Sequence, residues 1–167
     1  MTEERAIISG VLPCPVVVLT AAAGDRRDAM TATAFFVSEE PPLVSISVAQ
    51  HLLTNELIEQ SGEFVINLAA DDQAEMARGL GSVHGRDADK YDKFGVATLP
   101  GEKIAAPRVD GCYASLECRV VGSRKVSGYQ VYTAEVVAFA VDRGRRPLLW
   151  HQGRFHSLGP PAESRAE

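Results

Sequence analysis

Apolar and polar positions alternate in short runs along most of this chain, the two-residue period of strands half-buried on a sheet. In the run 30–37, Thr31 and Thr33 fall on one face and Met30, Ala32, Ala34 and Phe36 on the other. The run 44–48 repeats the pattern, with Ser45 and Ser47 opposite Val44, Ile46 and Val48. The pattern predicts strands over 16–20, 30–37, 43–48, 64–68, 113–121, 130–141 and 148–150. Turn-forming breaks at 24–27, 40–42 and 122–128 divide them, and the last break predicts a hairpin between the two longest strands.

Two short stretches carry helical signals instead. Thr54 stands in capping position before 55–60, and Ser61-Gly62 is a stop signal. Asp72-Gln73-Ala74-Glu75 has the spacing of a capping box ahead of 76–79. The charged stretch 84–95 reads as a loop. Many antiparallel strands with few helices favour a closed or partly closed barrel, which removes exposed edges. A strand of small residues leading toward a helix start suits a flat ligand with a phosphate tail. Taken alone, the same residues serve as barrel wall and ordinary cap, and neither the Walker nor the Rossmann glycine pattern is present.

Composition narrows the classes. The chain has 167 residues, with 46% hydrophobic and 23% charged, which suits one globular domain over 1–159. The Pro-initiated, aperiodic tail 160–167 is expected to be disordered. A net charge of −5 argues against a nucleic-acid partner. No apolar run reaches the ~18 residues of a membrane span, and the first ten residues carry acids where a signal peptide needs a basic start. The expected location is the cytoplasm. Cys14, Cys112 and Cys118 lack redox spacing; Cys118 reads as a buried inert thiol and Cys112, at a strand start, as more exposed. His151 and His156 have no metal-ligating company, so no metal site is expected.

The ordered segments CPVVVLTA, DAMTATAFFVSEEPPLVSISVA, HLLTNELIEQSGEFVINL and KYDKFG together resemble the flavin reductase-like family from about residue 7 to 159. The resemblance implies a mainly β, antiparallel Greek-key split barrel of the FMN-binding type with a few short helices. It also implies an NAD(P)H-dependent flavin reductase, in which hydride passes from nicotinamide to flavin N5. The cofactor would be FMN, with FAD possible, and the co-substrate NADH or NADPH. Reduced flavin would go to a partner monooxygenase, and the protein would be a homodimer. The alternative is an FMN-holding electron carrier without nicotinamide turnover.

Site residues implied by the resemblance are Thr31, Ala32, Thr33 and Ala34 along the flavin ring and ribityl chain, and Ser47, Val48 and Ala49 beside the ribityl and phosphate. His51, Thr54 and Asn55 would meet the phosphate at the helix start. Lys90 and Phe94 would border the open flavin face, with Arg86 and Lys93 near a dinucleotide. His151, beside Trp150, Arg154 and Phe155, is the weak candidate for a group at flavin N1. No side-chain acid or base is required, because hydride transfer needs mainly alignment.

Overall fold

A computed structural model describes residues 10–163. The start of the domain expected over 1–159 and the end of the expected tail, 164–167, lie outside those residues. Residues 158–163 have no helix or strand.

A seven-stranded antiparallel sheet is the frame. Its strands are β2 (Val17–Ala23), β3 (Arg26–Ala32), β4 (Ala34–Ser38), β5 (Leu43–Ala49), β6 (Glu63–Leu68), β9 (Ala114–Val126) and β10 (Tyr129–Val141). Their order in space is β3-β2-β6-β9-β10-β5-β4. The outermost strands, β3 and β4, are separated in the chain by Thr33 alone. Strands at opposite edges of one sheet can be joined by one residue only if the sheet rolls up, so this connection closes the barrel. The alternating run 30–37 is therefore two strands rather than the single one expected. Ala32 pairs with Val17, whereas Ala34 pairs with Ile46, and the chain turns a corner at Thr33.

Inside the barrel, Val17, Leu19, Ile46, Val48, Phe64, Ile66 and Tyr132 pack around Leu57 and Ile58 of α1 (Leu53–Ser61). The apolar run in β2 is nearly continuous because both faces are covered. Val17, Leu19 and Ala21 point into the barrel, while Val18 packs outside with Leu80 and Tyr91. Those two residues belong to α2 (Ala74–Leu80) and α3 (Lys90–Phe94). A three-stranded sheet of β1 (Cys14–Pro15), β11 (Leu148–His151) and β12 (Arg154–Ser157) lies beside α2, joined to it through Val16, Ala69, Ala77 and Leu148. The short pair β7 (Thr98–Leu99) and β8 (Arg108–Val109) completes the strands.

The structure departs from the local pattern in three places. The expected loop 84–95 contains α3, capped by the Asp89 carboxylate, which accepts from the Tyr91 and Asp92 amides. The expected Asp72–Glu75 capping box is absent, and the Gln73 side chain instead accepts from the Ala70 amide. The turn between β9 and β10 is tighter than the break suggested, needing only Ser127 and Gly128, both at positive φ.

Cys112 is buried rather than exposed, like Cys14 and Cys118. Burial pushes the thiols of Cys112 and Cys118 up to about 12, which leaves them protonated and unreactive near neutral pH.

One buried polar cluster ties β3 to α1 and α3. Asp28, 3% exposed, accepts from the Thr54 hydroxyl of α1 at 2.5 Å and pairs with Lys90 of α3 at 3.3 Å. Lys90 also donates to the Ala29 carbonyl at 2.7 Å, and the Tyr91 hydroxyl donates to the Asp28 carbonyl. A Cβ at Gly85 would collide with the Asp28 carboxylate, so only glycine lets this loop cover the pair. Removing one partner of a buried ion pair leaves an uncompensated charge. Lys90→Met should accordingly lose about 3–5 kcal/mol in urea unfolding; a loss below about 1 kcal/mol would mean the pair is solvated.

Candidate active site

The strand corner at Thr33 opens into a cavity of about 670 Å3. β3 and the corner contribute Met30, Thr31, Ala32 and Thr33; β5 and the residues after it contribute Ser47, Ala49 and Leu52. From α2 and its C-terminal turn come Ala77, Arg78, Gly81 and Ser82. Tyr129 at the start of β10 and Trp150 and Phe155 from the β11–β12 hairpin supply the aromatic surface. Trp150 and Phe155 meet edge to face with centroids 5.1 Å apart.

Small residues bring α2 close to β3. The Thr31 hydroxyl donates to the Ala77 carbonyl at 2.5 Å, and a Cβ at Gly81 would lie 3.5 Å from that of Thr31. Thr31 thus spends its hydroxyl holding the helix, whereas Thr33 and Ser47 also line the cavity and make no side-chain hydrogen bond among the described residues.

The cavity continues past α2. A chamber of about 240 Å3 shares Met30, Thr31, Leu52, Gly81 and Ser82 with it and reaches His84 and Lys90. A recess of about 220 Å3 follows, sharing Leu52 and His84 and lined also by His51, Arg86 and Asp87. The His51 and His84 rings stand edge to face at 6.1 Å. Arg86 bonds one Glu56 oxygen at 2.7 Å and Arg26 the other at 2.7 Å. Their hydrogen bonds hold the Glu56 carboxyl below its ordinary range. The adjoining recesses form a trough, apolar and aromatic with Arg78 at one end and lined by imidazole, guanidinium and carboxylate groups at the other.

Strand alternation sorts the residues expected from the sequence. Thr31, Ala32, Thr33, Ser47 and Ala49 line the cavity together. Val48 faces the opposite way and is fully buried in the barrel, and Ala34 packs against the same core. Thr54 is not the cap of α1; Leu52 holds that position, and Thr54 lies in the first turn with its hydroxyl committed to Asp28. Asn55 is also buried, accepting from the Tyr132 hydroxyl at 2.7 Å and donating to the Gln50 carbonyl. Neither side chain is free for a phosphate.

Lys90 reaches the chamber only as the buried partner of Asp28. Phe94 packs over Gly79, where a Cβ would strike its ring, and is outside the cavity lining. His151 follows Trp150 on the other face of its strand and is likewise outside the lining; its carbonyl meets the His156 ring at 3.1 Å. Among the described residues no cluster of three or more His, Cys, Asp or Glu side chains could hold a metal ion.

Leu52, Ala77, Arg78, Gly81, Ser82 and Tyr129 line the cavity without having been expected to. The small residues at 77 and 81, one helical turn apart, were the only local hint of a close helix approach.

The profile of the flavin reductase like domain matches residues 9–159. The chain belongs to that family. It is 30% identical over 158 residues to the reductase component of the 4-nitrophenol 4-monooxygenase/4-nitrocatechol 2-monooxygenase of Rhodococcus opacus, covering 95% of this chain and 81% of the relative. It is 27% identical over 165 residues to the NADH-dependent FMN reductase AsuE2 of Streptomyces nodosus subsp. asukaensis, covering 96% and 86%. Among solved structures, the NADH:FAD oxidoreductase SgcE6 of Streptomyces globisporus superposes with a TM-score of 0.86 at 27% identity, covering 95% of this chain and 93% of that one. The same protein has been solved in complex with NAD and FAD fragments. The antiparallel barrel expected from the resemblance is the observed fold.

The burial of Thr54 makes it a structural residue. Thr54→Ala should cost about 1–3 kcal/mol in urea unfolding by leaving the buried Asp28 carboxylate short of a donor. An unchanged unfolding midpoint would free the hydroxyl for another role.

Proposed function

We propose that this protein is an NAD(P)H-dependent flavin reductase acting on FMN in the trough between β3, β5 and α2. The observation that carries the reading is the trough's polarity. A planar ring needs apolar contact with a few polar groups at its edge, and a phosphate needs cations at the far end. The main cavity lies within the ~300–1,000 Å3 usual for small-molecule sites, and its donor set fits the flavin. Thr33 and Ser47 offer hydroxyls to the ring edge and ribityl chain. Ala32 and Ala49 keep the lining shallow, and Met30, Leu52 and the aromatic pair supply apolar surface. His51, His84 and Arg86 offer the phosphate its donors.

When bound, the flavin supplies the hydride-accepting N5 position. The chain's own contribution is binding and alignment. Thr31 fixes α2 against β3, which sets the cavity width, while Trp150 and Phe155 exclude water from one end. The relatives described as reductase components of monooxygenases support delivery of reduced flavin to a partner oxygenase.

A homodimer fits the surface. The edge strand β4 exposes Phe35 at 53% and Phe36 at 66%, and Phe139 of β10 is 71% exposed, large apolar side chains that a second copy would cover. We also place the protein in the cytoplasm, where reduced nicotinamide is available and free thiols persist. Among the described residues no helix is long and apolar enough to cross a membrane.

Stopped-flow mixing of FMN-loaded protein with NADH, and separately with NADPH, under nitrogen tests the activity. Flavin absorbance should bleach faster than free FMN does with at least one of them, and Thr33→Trp, which fills the cavity, should lose FMN binding with its circular dichroism unchanged. Bleaching no faster than in buffer would replace the reductase by an electron carrier. In sedimentation the 18.0 kDa chain should run at twice its mass, and Phe36→Asp should shift it toward the monomer; a monomeric wild type would refute the dimer.

A further inference from the structure

We propose that Arg78 is the cation that receives the pyrophosphate of the nicotinamide dinucleotide, an assignment that rests on the reductase reading. Arg78 is the charged residue in the lining of the main cavity. Its guanidinium carbon stands 5.1 Å from the Phe155 ring centroid, so the group is held at the aromatic end of the trough. The flavin phosphate, drawn to His51, His84 and Arg86, occupies the other end. Arg78 is therefore left for a second anionic ligand that approaches the ring.

The cations of the 86–93 stretch stand elsewhere. Arg86 is at the far recess, where it is bonded to Glu56 at 2.7 Å, Lys90 is buried against Asp28, and Lys93 lies over the Phe94 ring at 5.8 Å, outside the cavity. Arg27 stacks on Tyr91 at 4.2 Å and faces Asp89. By contrast, the ion pair of Arg78 is to Glu75 at 4.0 Å, between side chains 64% and 92% exposed. Such a pair holds a guanidinium weakly. The fork of donors matches phosphate oxygens in a way that an ammonium does not.

Position matters as much as charge. Arg78 follows Ala77, whose carbonyl is bonded by Thr31, so the helix carrying the guanidinium is registered against the strand under the ring. Pyrophosphate bound there would fix the nicotinamide over the cavity without touching the reacting atoms, which makes Arg78 a positioning residue.

Steady-state oxidation of NADH and of NADPH at saturating FMN and low salt, with wild type, Arg78→Ala and Arg78→Lys, tests the assignment. In Arg78→Ala the KM for both nucleotides should rise roughly five- to tenfold. kcat should stay within about twofold and FMN affinity by fluorescence quenching should not change. Arg78→Lys should recover part of the KM loss. The increase of wild-type KM with salt should be lost in the alanine variant. Unchanged KM for both nucleotides overturns the proposal. A weakened FMN affinity assigns Arg78 to the flavin phosphate instead, and an effect confined to NADPH assigns it to the 2′-phosphate; either result overturns it as well. A wild type that oxidises neither nucleotide overturns the reductase reading and this inference together, whereas normal wild-type turnover with unaltered variants overturns the inference alone.

Discussion

The buried carboxylate of Asp28 is the constraint on which the other parts of this molecule depend. A charge with 3% exposure must be matched at once by donors and by an opposite charge. Three separate pieces of chain answer it: Thr54 from α1, Lys90 from α3, and the loop at Gly85, which has no side chain to obstruct the approach. Lys90 in turn satisfies the carbonyl of Ala29, and Tyr91 that of Asp28. Burial pushes the Tyr91 phenol above its ordinary range, against the opposing pull of Arg27, so it donates throughout the physiological range. The cluster fixes the strand, which reaches the cavity two residues later at Met30 and ends at Ala32.

Barrel closure supplies the second constraint. Because β3 and β4 are consecutive yet stand at opposite sheet edges, the residue between them must sit where the barrel wall opens. Thr33 is that residue, and the cavity forms around it. Neighbouring side chains split their work accordingly. Ala34 and Val48 complete the core, while Thr33, Ser47 and Ala49 are left facing outward. Binding surface and barrel interior are thus two faces of the same strands, and packing on one face holds the other in shape.

The helices then place charged groups at both ends of the trough. α2 crosses close to β3 through Ala77 and Gly81 and carries Arg78 to the aromatic end. The residues before α1 and the 84–87 loop bring His51, His84 and Arg86 to the other. Glu56 would oppose an anion there, but Arg26 and Arg86 take up both of its oxygens at 2.7 Å. Anionic groups therefore meet a cation at either end, Arg78 at the aromatic one and Arg86 with the two imidazoles at the other.

Period-two alternation is a local property, so the strands, the face shared by Thr31 and Thr33, and the face shared by Ser45 and Ser47 could be read from the sequence alone. Ordered motifs carried the family, and with it the barrel and the flavin chemistry. What could not be read was whatever depends on partners distant in the chain. The break at Thr33 follows from which strands β3 and β4 pair with, and alternation continues smoothly across it. Thr54 and Lys90 look like a cap and a surface cation until folding places Asp28 between them. Val48 is a case where alternation alone was the better guide, since it sets Val48 opposite Ser47 and the structure buries it in the barrel. Arg78 carried no signal of its own, because an arginine in the last turn of a short helix is ordinary. Only the tertiary packing of α2 against β3 and the β11–β12 hairpin brings it to the cavity, since side-chain roles of this kind are set by contacts between segments that the local pattern does not encode.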